Sequence, residues 1–324
     1  MLTREQLTAA QGLVYQHMQP TPQYVWPLLA EALGCEVWVK HENHTPTGAF
    51  KVRGGLNYLA QWQAGGKPTS IVTATRGNHG QSIPFAARAH DIPVKVYVPH
   101  GNSEEKNAAM RAWGAELVEE GVDFDVARVA AQEFASATQA HSVPSFHPLL
   151  VRGVATYGAE LFDAVPDLGT VYVPIGMGSG AASLVAVRDL LGSRADIVGV
   201  VSDQADAFAL SLEQGRIVET NSAHTFADGM ATRVPNPDAF AYLRDGLARI
   251  VRVSDAEIAQ AMRLLYRTTH NIAEGAGAAA TAALMHELQN TRGVVRAPAA
   301  VILTGGNIDQ AWFSQVLAGG VPEV

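Results

Sequence analysis

The chain has 324 residues, 48% hydrophobic and 17% charged, so it can bury more core than one ordinary domain needs, and two domains or one two-lobed unit is expected. With 31 acidic against 23 basic residues the net charge is −8, which argues against nucleic acid or an anionic membrane as partner. A single cysteine, Cys35, excludes an intrachain disulfide framework or a cysteine-rich zinc site and reads as filling a strand core. Residues Met1 to Gln6 carry charge where a signal peptide needs an apolar run, and no stretch of about 18 apolar residues occurs, so a cytoplasmic protein with no membrane segment is expected.

Thr3 and Gln6 form a capping-box pattern, and Leu7, Ala10, Val14 and Met18 keep helical spacing until Pro20-Thr21-Pro22. Pro27 to Leu33 predicts a second helix stopped by Gly34, and Cys35 to Val39 alternates into a strand. Then comes Pro46-Thr47-Gly48-Ala49-Phe50-Lys51-Val52-Arg53-Gly54, which sets one lysine between a strand and an amphipathic helix running to Gln63 and closed by Gly65-Gly66. Burial there would lower the pKa of Lys51 and make its amine a nucleophile; the alternative is one more solvated cation.

Ser70 to Ala74 reads as a buried strand, followed by the polar loop Thr75-Arg76-Gly77-Asn78-His79-Gly80-Gln81 and a small-residue helix through Ala89. A strand at Pro93 to Pro99, a helix at Ser103 to Trp113, a strand at Glu116 to Val118 and a helix at Asp123 to Gln139 follow. His147-Pro148 opens a second region with strands at Thr170 to Ile175, Ile197 to Val201 and Ala299 to Leu303, and a second capping box at Ser254 and Glu257. Strands alternating with helices in this way predict an α/β fold with mainly parallel sheets flanked by helices.

Val171 to Ile175, then Gly176-Met177-Gly178-Ser179-Gly180, then a helical pattern to Leu191 is the strand, glycine loop and helix order that gathers backbone N–H groups on a phosphate. The same residues, with Ala181, fit a dinucleotide pattern in which Asp203 would bind a ribose, so a NAD(P)-dependent oxidoreductase stands as the alternative.

Taken together, Gly48 to Gly54, Gly77 to Gln81, Gly176 to Gly180 and Thr304-Gly305-Gly306-Asn307 resemble, in order, the fold-type II pyridoxal-phosphate (PLP) enzymes, and among them the serine/threonine dehydratases and serine racemases. Thr21-Pro22, Glu42-Asn43, His147-Pro148 and Glu274 to Ala278 add weaker matches. The resemblance implies two lobes, a large one from residues 1–69 plus 149–324 and a small one from 70–148, with the site between them. It implies that Lys51 holds the PLP aldehyde as a Schiff base and moves the Cα proton. Phe50, Asn78, Thr304 and Glu274 would lie against the cofactor, and Gly176, Met177, Gly178, Ser179 and Gly180 would bind its phosphate. Thr75, Arg76, Gly77, Asn78 and His79 would hold the substrate carboxylate. The implied reaction is β-elimination of water from a β-hydroxy-α-amino acid, giving a 2-oxo acid and ammonia, in a homodimer; no residue is assigned as a metal ligand.

Three departures from that pattern matter. Arg76 stands where racemases carry a serine base; a guanidinium accepts protons poorly, which disfavours racemisation, but it can receive a second carboxylate, as on 3-hydroxyaspartate. His147-Pro148-Leu149-Leu150 lacks the acidic run common in threonine dehydratases, which suggests a roomier rim suited to phenylserine. Only a short tail follows Thr304, so no regulatory domain is expected. His41 and His44 read as a loop pair and not as metal ligands, and Asp228 as a turn residue more readily than as a cation ligand.

Overall fold

The computed structural model describes residues 2–62, 68–291 and 293–324. Gly65-Gly66, expected to close the helix after Lys51, lies outside the described residues. The fold is α/β, with two sheets. The larger orders its strands β1 (Gln23–Val25), β2 (Val37–His41), β10 (Ala299–Leu303), β7 (Thr170–Pro174), β8 (Asp196–Ser202) and β9 (Arg249–Val253). The smaller runs β5 (Ala115–Glu119), β4 (Val94–Val98), β3 (Ile71–Ala74), β6 (His141–Ser142). Neighbouring strands pair parallel except β1 on β2.

Parallel strands covered on both faces need apolar side chains at every position, not at alternate ones. β10, Ala-Ala-Val-Ile-Leu, is accordingly buried throughout. One face of the large sheet packs on α7 (Pro148–Ala164), α8 (Ser179–Leu191), α9 (Ala207–Gln214) and α10 (Pro237–Gly246), the other on α2 (Pro27–Leu33), α11 (Asp255–Thr269), α12 (Gly275–Asn290) and α13 (Gln310–Leu317). Over the small sheet, α6 (Phe124–Thr138) supplies Ala127 and Ala131 to one side. The other side draws on α4 (Asn78–Arg88), on Met110 of α5 (Glu104–Ala112) and on Val52, Leu56 and Leu59 of α3 (Lys51–Trp62). Val14 of α1 (Arg4–Val14) and Leu150 join the same cluster, so segments before residue 70 and after residue 148 help to build the small-sheet core.

Both capping boxes form, Thr3 with Gln6 and Ser254 with Glu257. Local differences from the sequence reading have local causes. α1 stops at Val14, and Met18 reaches the core from the turn that follows. α4 starts at Asn78, inside the stretch read as loop, with Gly77 as its N-cap. Cys35 precedes β2 and is half-buried, so it does not fill a strand core; burial pushes its thiol pKa up. No described helix is long and apolar enough to cross a membrane.

Candidate active site

In parallel sheets the loops at the carboxyl ends of the strands form the crevice in which ligands sit. Here the loops after β2, β10 and β7 of the large sheet and after β3 of the small one converge on a cleft with roughly 900 Å³ of open space. The loop from β2 to Lys51 is pinned to the end of β10. Gly48 takes a left-handed φ of 69°, Ala49 bridges Gly305, and Phe50 N–H donates to the Thr304 carbonyl at 3.0 Å. Lys51 thus becomes the first residue of α3, half-buried on the cleft wall. Its Nζ lies 3.4 Å from Ser179 Oγ and 4.7 Å from the centre of the Phe50 ring. Burial lowers its pKa to about 8, against the opposing pull of the Glu274 charge.

Helix starts leave backbone N–H groups without partners, and a side chain at the N-cap usually accepts from one of them. Ser103, Asp123, Asn236 and Ser254 do so for α5, α6, α10 and α11. The helices that open on the cleft do not follow them: Gly77 before α4, Gly178 before α8 and Glu274 before α12 give no side-chain cap. Gly178 adopts φ 93°, and a Cβ on Gly176 would collide with the Gly229 carbonyl, so this loop needs glycine at both positions. Two uncapped glycine-led helix starts facing one cleft are two places for anionic groups. Met177 has no positive φ, so a side chain is tolerated there.

A polar chain crosses the cleft. Asn307 Nδ2 donates to Asn78 Oδ1 at 2.8 Å, and Asn78 Nδ2 donates to Glu274 Oε1 at 2.7 Å. Glu274 Oε2 is buried without a partner, and burial raises the pKa of this carboxyl above the usual range. His79 is buried with Nε2 unpartnered; burial first and then the Lys51 charge push its pKa down to about 3, so the ring is neutral. Lys106 of α5 reaches the cleft and pairs with Asp228. Burial alone would lower the Lys106 pKa, but Asp228 and Glu274 outweigh it and hold the ammonium charged.

Behind Lys51 lies a second, closed polar cluster. Arg53 donates to Glu42 Oε2 at 2.7 Å, to Glu160 Oε1 at 2.6 Å and to Thr156 Oγ1 at 2.8 Å. Lys40 donates to Glu160 Oε2 at 2.6 Å and to the Thr21 carbonyl at 2.7 Å, and Tyr15 OH to Glu160 Oε1 at 2.7 Å. Since Arg53 sits two residues beyond Lys51, this network holds the first turn of α3 against α7 and β2.

The site candidates that the PLP resemblance marked in the sequence all line this one cleft: Phe50, Lys51, Thr75 to His79, Gly176 to Gly180, Glu274 and Thr304. Several sequence expectations fall elsewhere. Asp203, the ribose ligand of the dinucleotide reading, is exposed beyond β8 and is not among the cleft-lining residues. His147 caps α7 by accepting from Leu149 N–H at 3.1 Å and Leu150 is buried in the small-sheet core, so the stretch read as a roomy rim is not cleft wall. His41 and His44 stack on each other at 5.1 Å between ring centres, and no group of three or more metal-ligating side chains occurs among the described residues. Lys106 escaped sequence reading because Ser103-Glu104-Glu105-Lys106 looks like any solvated helix start.

The donor set fits a group carrying both an aldehyde and a phosphate. A buried amine of lowered pKa stands within 3.4 Å of the first residue of α8, whose glycine-led N-terminus offers uncapped N–H groups.

Comparison with known proteins agrees with that fit. The family model described as pyridoxal-phosphate dependent enzyme matches residues 14–305. L-threonine ammonia-lyase of Geobacter sulfurreducens is 34% identical over 295 residues, which is 90% of this chain and 72% of that protein. The catabolic L-threonine dehydratase of Escherichia coli is 30% identical over 311 residues, 94% of this chain and 92% of that one. The processed form of threonine deaminase isoform 2 from Solanum lycopersicum superposes with a TM-score of 0.89 at 26% identity, covering 98% of this chain and 95% of its own.

Proposed function

Because this chain belongs to the family of pyridoxal-phosphate dependent enzymes, we propose that it is a carbon–oxygen lyase that converts a β-hydroxy-α-amino acid of the threonine or serine type to a 2-oxo acid and ammonia. The observation that carries this reading is the buried Lys51 amine, lowered to about pKa 8, in one cleft with the glycine loop 176–180 and the uncapped start of α4. Bound there, PLP supplies an aldehyde that joins amines and a ring that takes up the electron pair left at Cα.

In this reading the Lys51 amine would hold the cofactor aldehyde and would be the base for the Cα proton of the substrate. Gly176 to Gly180 hold the phosphate, and Phe50, Asn78, Glu274 and Thr304 border the ring. The backbone of Thr75 to His79 receives the α-carboxylate at the start of α4. Thr304 would offer the bound ring a hydroxyl and not a carboxylate, which would favour prompt elimination over transamination. The balance is closed: Cα–H and Cβ–OH break and water leaves, the released enamine tautomerises to an imine, and water returns to that imine to free ammonia.

Asp228 is taken up by Lys106 in this reading. A large lobe of residues 1–69 plus 149–324, a small lobe of 70–148, a homodimeric assembly and a cytoplasmic location belong to the same proposal. Limited proteolysis, sedimentation velocity and cell fractionation read them out. The direct test is 2-oxo acid release from serine and threonine stereoisomers after loading with PLP. Release from a β-hydroxy amino acid is the expected result; a protein that takes up no PLP, or that takes it up and releases no 2-oxo acid from any of them, overturns the reading.

A further inference from the structure

Arg76 is the charged group of the cleft for which nothing in the preceding reading has a use. It lies two residues before the start of α4 and lines the cleft with Lys51, Asn78 and Ser179. Its Nε is buried without a hydrogen-bond partner, and among the described residues its guanidinium has no ion pair. The acidic groups of the cleft wall are engaged elsewhere: Asp228 by Lys106, and Glu274 Oε1 by Asn78. The side chain as a whole is half-buried, and a buried N–H left without a partner costs free energy that an acceptor arriving with the ligand would relieve.

Two anions of the loaded site already have their places, the cofactor phosphate on the glycine loop and the substrate α-carboxylate on the start of α4. A third is therefore needed to match Arg76, and the planar guanidinium suits a carboxylate received through two parallel hydrogen bonds. The argument for a bulky apolar side chain has also lost its footing, since His147 to Leu150 do not face the cleft.

We propose that Arg76 selects substrates whose β-carbon bears a carboxylate as well as the leaving hydroxyl, that is, a 2-amino-3-hydroxy dicarboxylic acid. This rests on the function proposed above and narrows its substrate class. The products of such a four-carbon substrate are a 2-oxo dicarboxylic acid and ammonia, with the water lost at Cβ regained on imine hydrolysis.

The test separates recognition from turnover by using two amino acids that lack a β-hydroxyl, aspartate and alanine, which differ in the second carboxylate. Each is titrated into PLP-loaded wild type, Arg76→Gln and Arg76→Lys, and binding is followed by the visible spectrum of the cofactor. Wild type is expected to bind aspartate more tightly than alanine, and Arg76→Gln to reduce the aspartate-to-alanine affinity ratio by roughly ten- to a hundredfold. Arg76→Lys, which keeps the charge and loses the fork, is expected to fall between. Equal affinity of wild type for the two amino acids overturns the proposal without any variant. So does an equal loss for both in Arg76→Gln, which would place the guanidinium on the α-carboxylate or the cofactor. A loaded wild type that responds to neither amino acid also overturns this inference, whereas the proposed function stands or falls on 2-oxo acid release.

Discussion

Two arginines in this molecule sit within 23 positions of each other in sequence order, Arg53 and Arg76, and the structure treats them in opposite ways. Arg53 is fully buried and meets Glu42, Glu160 and Thr156, each within 2.8 Å. Arg76 faces the cleft with its Nε buried and unpartnered. The same contrast separates their surroundings. Around Arg53, Lys40, Tyr15 and Thr21 complete a closed set of donors and acceptors. Around Arg76, His79 Nε2, Glu274 Oε2 and two uncapped helix starts stay open. A closed polar network fixes geometry, here that of the first turn of α3; open polar groups are what a ligand completes. Changes in the first region should therefore register in folding, and changes in the second in binding and turnover.

The largest effect is expected on the open side. Lys51→Ala should lower the rate of 2-oxo acid release by roughly four orders of magnitude and abolish covalent attachment of the cofactor, because the other amine lining the cleft among the described residues, Lys106, is held charged by Asp228. Its denaturant midpoint should stay near that of the wild-type apoprotein. A comparable fall in stability would mean that Lys51 belongs to the closed region after all.

Arg53→Met probes the closed side. It leaves Glu42 and Glu160 buried with one cation, Lys40, close to Glu160, and the expected loss is about 3–5 kcal/mol of unfolding free energy. Denaturant titration of the apoprotein measures it, and a change below about 1 kcal/mol would show that the cluster is open to water.

Smaller effects are expected where backbone and titration set cofactor binding. Gly178→Ala forces a side chain onto φ 93° with its Cβ 2.9 Å from that of Ala239, a strain of about 1–3 kcal/mol that should weaken PLP affinity roughly ten- to a hundredfold. Equilibrium dialysis against PLP reads the change. The pH effect is the smallest. With its pKa at about 8, roughly a tenth of the Lys51 amine is neutral at pH 7 and most of it by pH 9, so the rate of cofactor loading should climb about tenfold over that range and then level. A rate that keeps climbing through pH 10 would give Lys51 the pKa of an ordinary exposed lysine.

The open region was the more legible of the two in the sequence. Gly176 to Gly180 and Gly77 to Gln81 stand out because a backbone that must approach a ligand closely excludes most side chains, and that leaves a compositional mark. Lys51 stands out because it follows an apolar strand directly. The closed region left no such mark: Arg53 and Glu160 are 107 positions apart, and only the fold brings them together, as it does Lys106 and Asp228 of the cleft, 122 apart. Strands β1 and β6, of three and two residues, are too short to show a period. β9 lies at the edge of the large sheet, and its two arginines disguise it. His147 to Leu150 misled because local polarity does not reveal which way a helix start faces.

The central claim is that the amine of Lys51, and no other, receives the cofactor. Reduction of PLP-loaded protein with borohydride, followed by peptide mapping by mass spectrometry, tests it directly. The expected result is one phosphopyridoxyl group per chain on the peptide containing Lys51. The same label on Lys106, Lys40 or any surface lysine, or no label on a protein that nonetheless releases 2-oxo acid, would contradict it.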